Sequence, residues 1–211
     1  MYKNILILTK SYKNGGYCVA GIDLHSYEWI RLVSNNTVTH GAISQTQMIC
    51  ANNHVSIPLD VVSVDILRAT PISCQTENHL INPNAEWIFR KSIRFEDALD
   101  CVPISNYAFL YLDNSPYLLP NSIHELDHSL ILAKVRNLHI SLNEYGKSKA
   151  SFLYNGYMYS NISITDPDYY NITNSITIQD AYIVISLPDE GHTSEFYEGN
   201  RYYKFIAKIF C

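Results

Sequence analysis

Residues 124–128 read His-Glu-Leu-Asp-His, the spacing H-E-x-x-H. In a zinc protease this spacing sets two imidazoles on one metal, with the glutamate beside the metal-bound water. That chemistry needs both histidines on one face of a regular helix. The flanking residues oppose it: Pro120, Asn121 and Ser122 leave about one helical turn upstream, and period-2 patterning starts directly after His128. Asp127 would place a second charge on a segment that such a helix keeps buried. Glu144 and Glu190 lie downstream as third ligands, and no spacing singles out either. The expectation is a short capped turn with no metal at His124 or His128, and the zinc protease is kept only as an alternative.

Other chemistry is sparse. Asp166 and Asp168 in TDPDYY are spaced to share a Mg²⁺, although Asp-Pro is also a common turn, and the turn is expected. The five cysteines, at 18, 50, 74, 101 and 211, are odd in number and contain no C-x-x-C, which argues against a disulfide framework and a cysteine-rich zinc module. There is no P-loop, no G-x-G-x-x-G and no G-x-S-x-G. A non-enzymatic chain without cofactor is expected.

The elements that must position any site are short. Runs such as ILILT (5–9), YCVAGIDL (17–24), EWIRLVS (28–34), DVVSVDILRA (60–69), NYAFLYL (106–112), SLILAKVRNLHISL (129–142), KASFLY (149–154), YMYSNISI (157–164), AYIVISL (181–187) and YYKFIAKIF (202–210) read as strands. One segment, 83–101, reads as a helix, with Pro83 near its start. Residues 4–34 and 129–166 follow one plan, in which a strand bearing Leu-Ile-Leu and then a lysine (Lys10, Lys134) leads into a loop with glycine and basic residues and then a hairpin. The fold expected is mostly β, two small barrels in tandem with a short helical connector: 1–82 the first barrel, 83–127 the helical connector and a linking strand, 128–211 the second barrel.

The hairpins carry the candidate site. Asn155-Gly156 is a two-residue turn that sets Tyr154 opposite Tyr157 and Phe152 opposite Tyr159, so four aromatics share one face. With Lys147 and Lys149 at the entry, the arrangement is similar to OB-type barrels that stack bases on rings and track phosphates with cations. The alternative is that these rings are core. In the first hairpin a turn near Ser26-Tyr27 sets Leu24 and Ile22 across from Trp29 and Arg31, and Trp29, Arg31 and Val33 share a face. There Arg31 either grips a ligand or pairs with Asp23 or Glu28. Residues 134–159 hold Lys134, Arg136, Lys147 and Lys149 against Glu144, a basic cluster in a chain of net charge −5. That global charge argues against a protein that coats DNA non-specifically.

The stretch LTKSYKNGGYCVAGIDLHSYEWIRLVS resembles the opening of the bacterial dual OB-containing domain family, and SLILAKVRNLHI, KASFLYNGYMYSNISITDP and VISLPDE…YYKFIAKIF are similar to its second half. The resemblance implies two tandem OB folds that bind nucleic acid, in proteins that serve mobile-element or defence systems. The matching positions are Lys10, Gly16, Cys18, Gly21, Trp29 and Arg31, then Tyr154, Gly156, Tyr159, Asp166 and Lys204. The partner expected is single-stranded or structured nucleic acid, held by Lys10, Trp29 and Arg31 in the first barrel and by Lys134, Arg136, Lys147, Lys149, Tyr154, Tyr157 and Tyr159 in the second. A protein-interaction or nucleotide-sensing module is the alternative from another class. The apolar run Ile5–Leu8 is too short for a signal peptide, no stretch approaches a membrane span, and a cytoplasmic chain without a membrane partner is expected.

Overall fold

The computed structural model describes residues 1–13 and 15–211; Asn14 lies outside the described residues. The chain forms two compact units, Met1–Pro71 with Glu77–Pro103, and Ile72–Thr76 with Ile104–Cys211. Residues 83–103 fall in the first and 104–127 in the second.

In the first unit the strands are β1 (Tyr2–Lys13), β2 (Gly16–Asp23), β3 (Trp29–Val33), β4 (Asp60–Ala69), β5 (Asn78–Ile81) and β6 (Ile88–Ser92). They hydrogen-bond in the order β1-β2-β3-β5-β4, and β4 returns to pair with β1, so five strands close on themselves. β3 and β5 run parallel, and the other pairs in the ring are antiparallel. Alternation explains which residues fill the interior: Ile5 and Ile7, Ile30 and Leu32, Val62 and Val64 each sit two apart and face one core. Met48, Cys50 and Trp87, from outside the ring, join that core.

The helix expected over 83–101 is replaced by β6 and a single helical turn, α1 (Phe95–Ala98). Trp87 and Phe89 stand two apart and pack against the same core, a strand's period, and β6 pairs with β4. The first hairpin is also looser than expected. Asp23 N donates to Glu28 O at 3.0 Å around a longer turn with Tyr27 at φ 60°, so Ile22 rather than Leu24 faces Trp29, and Ala20 rather than Ile22 faces Arg31.

The second unit holds β7 (Tyr117–Leu118), the one-turn helix α2 (Pro120–Ile123), β8 (Leu130–Leu142), β9 (Ser148–Tyr154), β10 (Tyr157–Ile164), β11 (Ile176–Ser186), β12 (His192–Ser194), β13 (Tyr197–Tyr203) and β14 (Phe205–Phe210). β8, β9, β10, β14 and β11 form a closed barrel. Counted within the unit, its order is first, second, third, fifth, fourth, with the third and fifth strands parallel, as in the first unit. Small five-stranded barrels of this design are OB-like. β12 and β13 are inserted between the fourth and fifth strands, and β13 pairs with both β12 and β7 in a separate three-stranded sheet. The strand expected over 106–112 is absent, and those residues form turns and bends.

Both first strands carry an irregularity where they must bend to serve two neighbours. In β1 the register slips between Ile7 and Thr9, and Thr9 Oγ1 accepts the Ala20 amide at 3.0 Å. In β8 the slip lies between Arg136 and His139, with Asn137 at φ 51°. Opposite the first bulge β1 and β2 approach so closely that a Cβ on Gly21 would sit 1.9 Å from the Leu6 carbonyl oxygen. Gly21→Ala is therefore expected to lower the unfolding free energy by about 3 kcal/mol, read as a drop in the urea midpoint; an unchanged midpoint would remove this constraint.

Candidate nucleic-acid interface

Alternation in β8, β9 and β10 sorts the second unit's side chains by charge. Val135, Ala150, Phe152, Tyr154, Tyr159 and Ile162 point inward and are buried. Lys134, Arg136, Lys149, Leu153 and Met158 point outward. Across the outer face the register runs Arg136, Leu153, Met158, and further along Ser141, Lys149, Ser163. Arg136 and Lys149 thus share a face, about 13 Å apart at the strand rise of one residue per 3.3 Å.

At the Arg136 end lies a cleft of about 430 Å³, lined by Lys134, Arg136, Leu153, Tyr154 and the Asn155-Gly156 turn, with Ser105 at its side. Neither Lys134 nor Arg136 has an ion-pair partner among the described residues; Lys134 lies over the Tyr182 ring, 5.7 Å from its centroid. Asp180, also exposed, is the register partner of Arg136 and offsets part of the local charge. Asn155 and Gly156 hold φ 49° and 85°, the tight turn the sequence announced, and Asn155 Nδ2 donates to Tyr107 O at 2.7 Å. Beside the turn, Tyr157 keeps 44% of its surface exposed and packs on Phe109, ring centroids 4.4 Å apart.

The other aromatics of this hairpin are not surface platforms. The expected pairing of Tyr154 with Tyr157 and Phe152 with Tyr159 is present, but the shared face is the barrel interior, where Phe152 and Tyr159 stack at 5.2 Å. Tyr154 and Tyr159 spend their hydroxyls on the segment before β7. Tyr154 donates to Tyr107 O at 2.8 Å and meets Ser105 Oγ at 2.9 Å. Tyr159 accepts the Leu110 amide at 2.8 Å and donates to Asp113 O at 3.1 Å. Lys204, 1% exposed, adds bonds of 2.7 and 2.9 Å to the Asp113 carbonyl and carboxylate. Desolvation pushes the Tyr159 phenol up to about 12 and holds the Lys204 ammonium below its usual range. Periodicity alone put these rings on one face without saying which side of the sheet was inside.

Lys149 is half-buried, donates to Ser163 Oγ at 2.8 Å, and is held below its ordinary pKa by burial, with the Lys147 charge adding to the effect. Lys147 itself is exposed in the β8–β9 turn.

In the first unit the expected patch separates. Arg31 is buried: its Nη1 lies 2.6 Å from Cys18 Sγ, its Nη2 3.3 Å from Glu77 Oε1, and its amide donates to Glu77 O at 2.9 Å. The carboxylate that pairs with it is that of Glu77, while Asp23 pairs with Lys3 at 2.5 Å. Lys10 lies over the Tyr17 ring at 4.9 Å, and Trp29 is half-buried.

The other motifs resolve locally. α2 ends at Ile123, before the first histidine of HELDH, so His124 and His128 do not share a helix face. His128 instead stacks against Tyr107 and Tyr111 and bonds Asp127 at 2.8 Å. Asp166 is wholly buried; its Oδ2 accepts the Ile209 amide at 2.9 Å and its Oδ1 pairs with Lys208 at 3.3 Å. Among the described residues no three His, Cys, Asp or Glu side chains are grouped to hold a metal.

With two closed barrels of one strand order established, the model of the dual OB-containing domain matches residues 3–209. The chain belongs to the dual OB-containing domain family. No curated protein and no solved structure matches it. In this dual OB-containing chain several positions that carry the family resemblance prove to be structural: Gly21 admits a close strand, Arg31 and Asp166 are buried in ion pairs, and Tyr154, Tyr159 and Lys204 fix one loop. Sequence reasoning missed Leu153, Asn155, Phe109 and Tyr182; the Asn-Gly turn was the available signal for the second of these.

Tyr159→Phe is expected to cost about 1–3 kcal/mol and to speed hydrogen exchange of the Leu110 amide. Because the folded phenol holds its proton more tightly than the unfolded one, its contribution is complete below about pH 10 and is lost as pH rises through about 12. Denaturant unfolding across that window should fall more steeply for the native chain than for Tyr159→Phe, and parallel curves would contradict the assignment.

Proposed function

We propose that the chain binds single-stranded or structured nucleic acid on the outer face of its second barrel, at the cleft beside the β9–β10 turn. The observation that carries this reading is the pair Lys134 and Arg136, two cations with no ion pair among the described residues, lining the cleft at the Asn155-Gly156 turn; Tyr157, the residue after that turn, is 44% exposed at the rim on the other side of the strand. Cations along a β face neutralise successive phosphates, and an exposed ring stacks a base, each stack contributing about 1–3 kcal/mol. Lys149 on the same face extends the cationic track. In the first barrel Arg31 is committed to Glu77, so the second barrel is the reader. The wider setting we propose, a bacterial mobile-element or defence system in the cytoplasm, is supported by the family resemblance alone.

A second reading, recognition of a protein or a free nucleotide by the same face, draws on Met158, 52% exposed, and Leu153 beside Arg136. Salt separates the two. Three phosphate contacts on a single strand give a slope of log Kobs against log salt of about −2, whereas an apolar docking surface gives a slope near zero. Fluorescence anisotropy of labelled single-stranded RNA and DNA against the full chain should show that slope. Arg136→Ala should weaken binding at least fivefold and reduce the slope by about 0.7, and Tyr157→Ala should weaken it without changing the slope. Absence of binding at low salt would sink the proposal.

A further inference from the structure

The small sheet of β7, β12 and β13 lies apart from the cleft in sequence and holds a cation in an unusual setting. Arg201 of β13 lies over two rings, its Cζ 4.3 Å from the Tyr117 centroid and 3.7 Å from the Tyr197 centroid. Two rings thus meet the charge of the guanidinium, whose five N–H groups lie in one plane at its edge. Among the described residues that edge meets no hydrogen-bond acceptor and no carboxylate, and its Nε is buried without a partner. Glu195 and Glu198 belong to the same hairpin, yet neither forms an ion pair with it.

The surroundings hold the group in place. His192 is the register partner of Arg201 across β12 and β13, which puts both side chains on one face of the ladder. The His192 ring is fixed by the 2.7 Å contact of its Nδ1 with the Tyr197 hydroxyl. Tyr203 packs edge-on against both Tyr117 and His192. A cation–π clamp satisfies the charge of an arginine but none of its in-plane donors. A planar fork with unmet donors matches the paired oxygens of a phosphate, which a lysine point charge does not reproduce.

We infer that Arg201, clamped by Tyr117 and Tyr197, is a phosphate-binding site on the β12–β13 hairpin, with His192 beside it. The phosphate comes either from a small free anion or from the end of a nucleic-acid strand. The inference stands on this sheet alone and does not depend on the cleft reading.

The test is side-chain NMR of the full chain labelled with ¹⁵N-arginine. On addition of inorganic phosphate the Arg201 Nε–H resonance should move saturably, and chloride at equal ionic strength should leave it in place. Arg201→Lys, which keeps a cation over the rings, should retain the thermal midpoint and weaken phosphate binding at least tenfold, followed on the backbone amides of β13. A resonance that does not saturate, an equal response to chloride, or a lysine variant that binds phosphate as tightly as the native chain would overturn the site. Oligonucleotides with a 5′-phosphate or a 5′-hydroxyl then separate the sources. A preference of threefold or more for the phosphorylated strand, lost in Arg201→Lys, assigns the phosphate to a strand end; equal affinity assigns it to a small anion. Because the phosphate titration uses no nucleic acid, its failure is distinct from failure of the cleft.

Discussion

A five-stranded barrel of this strand order closes only where its third and fifth strands meet in parallel, and no seam of either barrel has fewer residue pairs. In the first it is three residue pairs, Arg31–Asn78 to Val33–Leu80, and in the second it is two, Ser163–Phe205 and Ile164–Ile206. So few ladder bonds fix register weakly, and in each unit a buried ion pair stands at the seam. Arg31 opens the first seam and pairs with Glu77, the residue before β5. Asp166 follows β10 in the second, accepts the Ile209 amide of β14 and pairs with Lys208. Burial raises the Asp166 pKa and the Lys208 charge opposes that shift, so the pair is desolvated and compensated together. Breaking a buried pair by removing one partner costs about 3–5 kcal/mol, far more than the net value of the pair. Such groups specify a unique closure at little gain in stability.

This constraint explains why the sequence resisted assignment of charge to function. Arg31 and Lys149 occupy outward strand positions, where a cation reads as a ligand contact. Arg31 is nonetheless buried because Glu77 and Cys18 cover it. A buried arginine and an exposed one look identical in a period-2 pattern, since alternation reports the face and not what covers it. The same limit misplaced Tyr154 and Tyr159. Their register was legible from the Asn-Gly turn; that their hydroxyls hold residues 105–113 requires contacts across more than 40 positions of chain.

The long strands were legible because they carry strong alternation: β1, β4, β8, β9, β10 and β11 lie within a few residues of expectation. The failures have separate causes. At 83–101 Trp87, Ile88, Ile93 and Leu99 suggest helical spacing, but Trp87 and Phe89 pack on one core at a strand's period, and burial of the tryptophan decides the conformation. At 106–112 Leu110 and Tyr111 join the second core without strand pairing, while Tyr107 and Leu112 stay exposed; Tyr111 holds φ 67° and donates to Ser129 O at 2.6 Å. β5, β7 and β12 are two to four residues long, too short for any periodicity to register.

The two barrels share a strand order but not the use of its connections. In the first unit the loop between the fourth and fifth strands gives up its tip: Ile72–Thr76 belong to the second unit, where Cys74 joins the core and Gln75 Nε2 donates to Leu187 O at 2.9 Å. In the second unit the same connection is a hairpin with its own sheet and the Arg201 clamp. A loop whose side chains complete a neighbouring core is fixed in sequence by packing, since each methylene lost from a core is felt. A hairpin that adds only the half-buried Tyr202 to the edge of a core is largely released from that requirement and can change its surface chemistry at small cost in stability. From one architecture, then, packing commits the first barrel's connection to the fold and leaves the second barrel's connection, with the outer face of β8 to β10, as the surface on which recognition can be built.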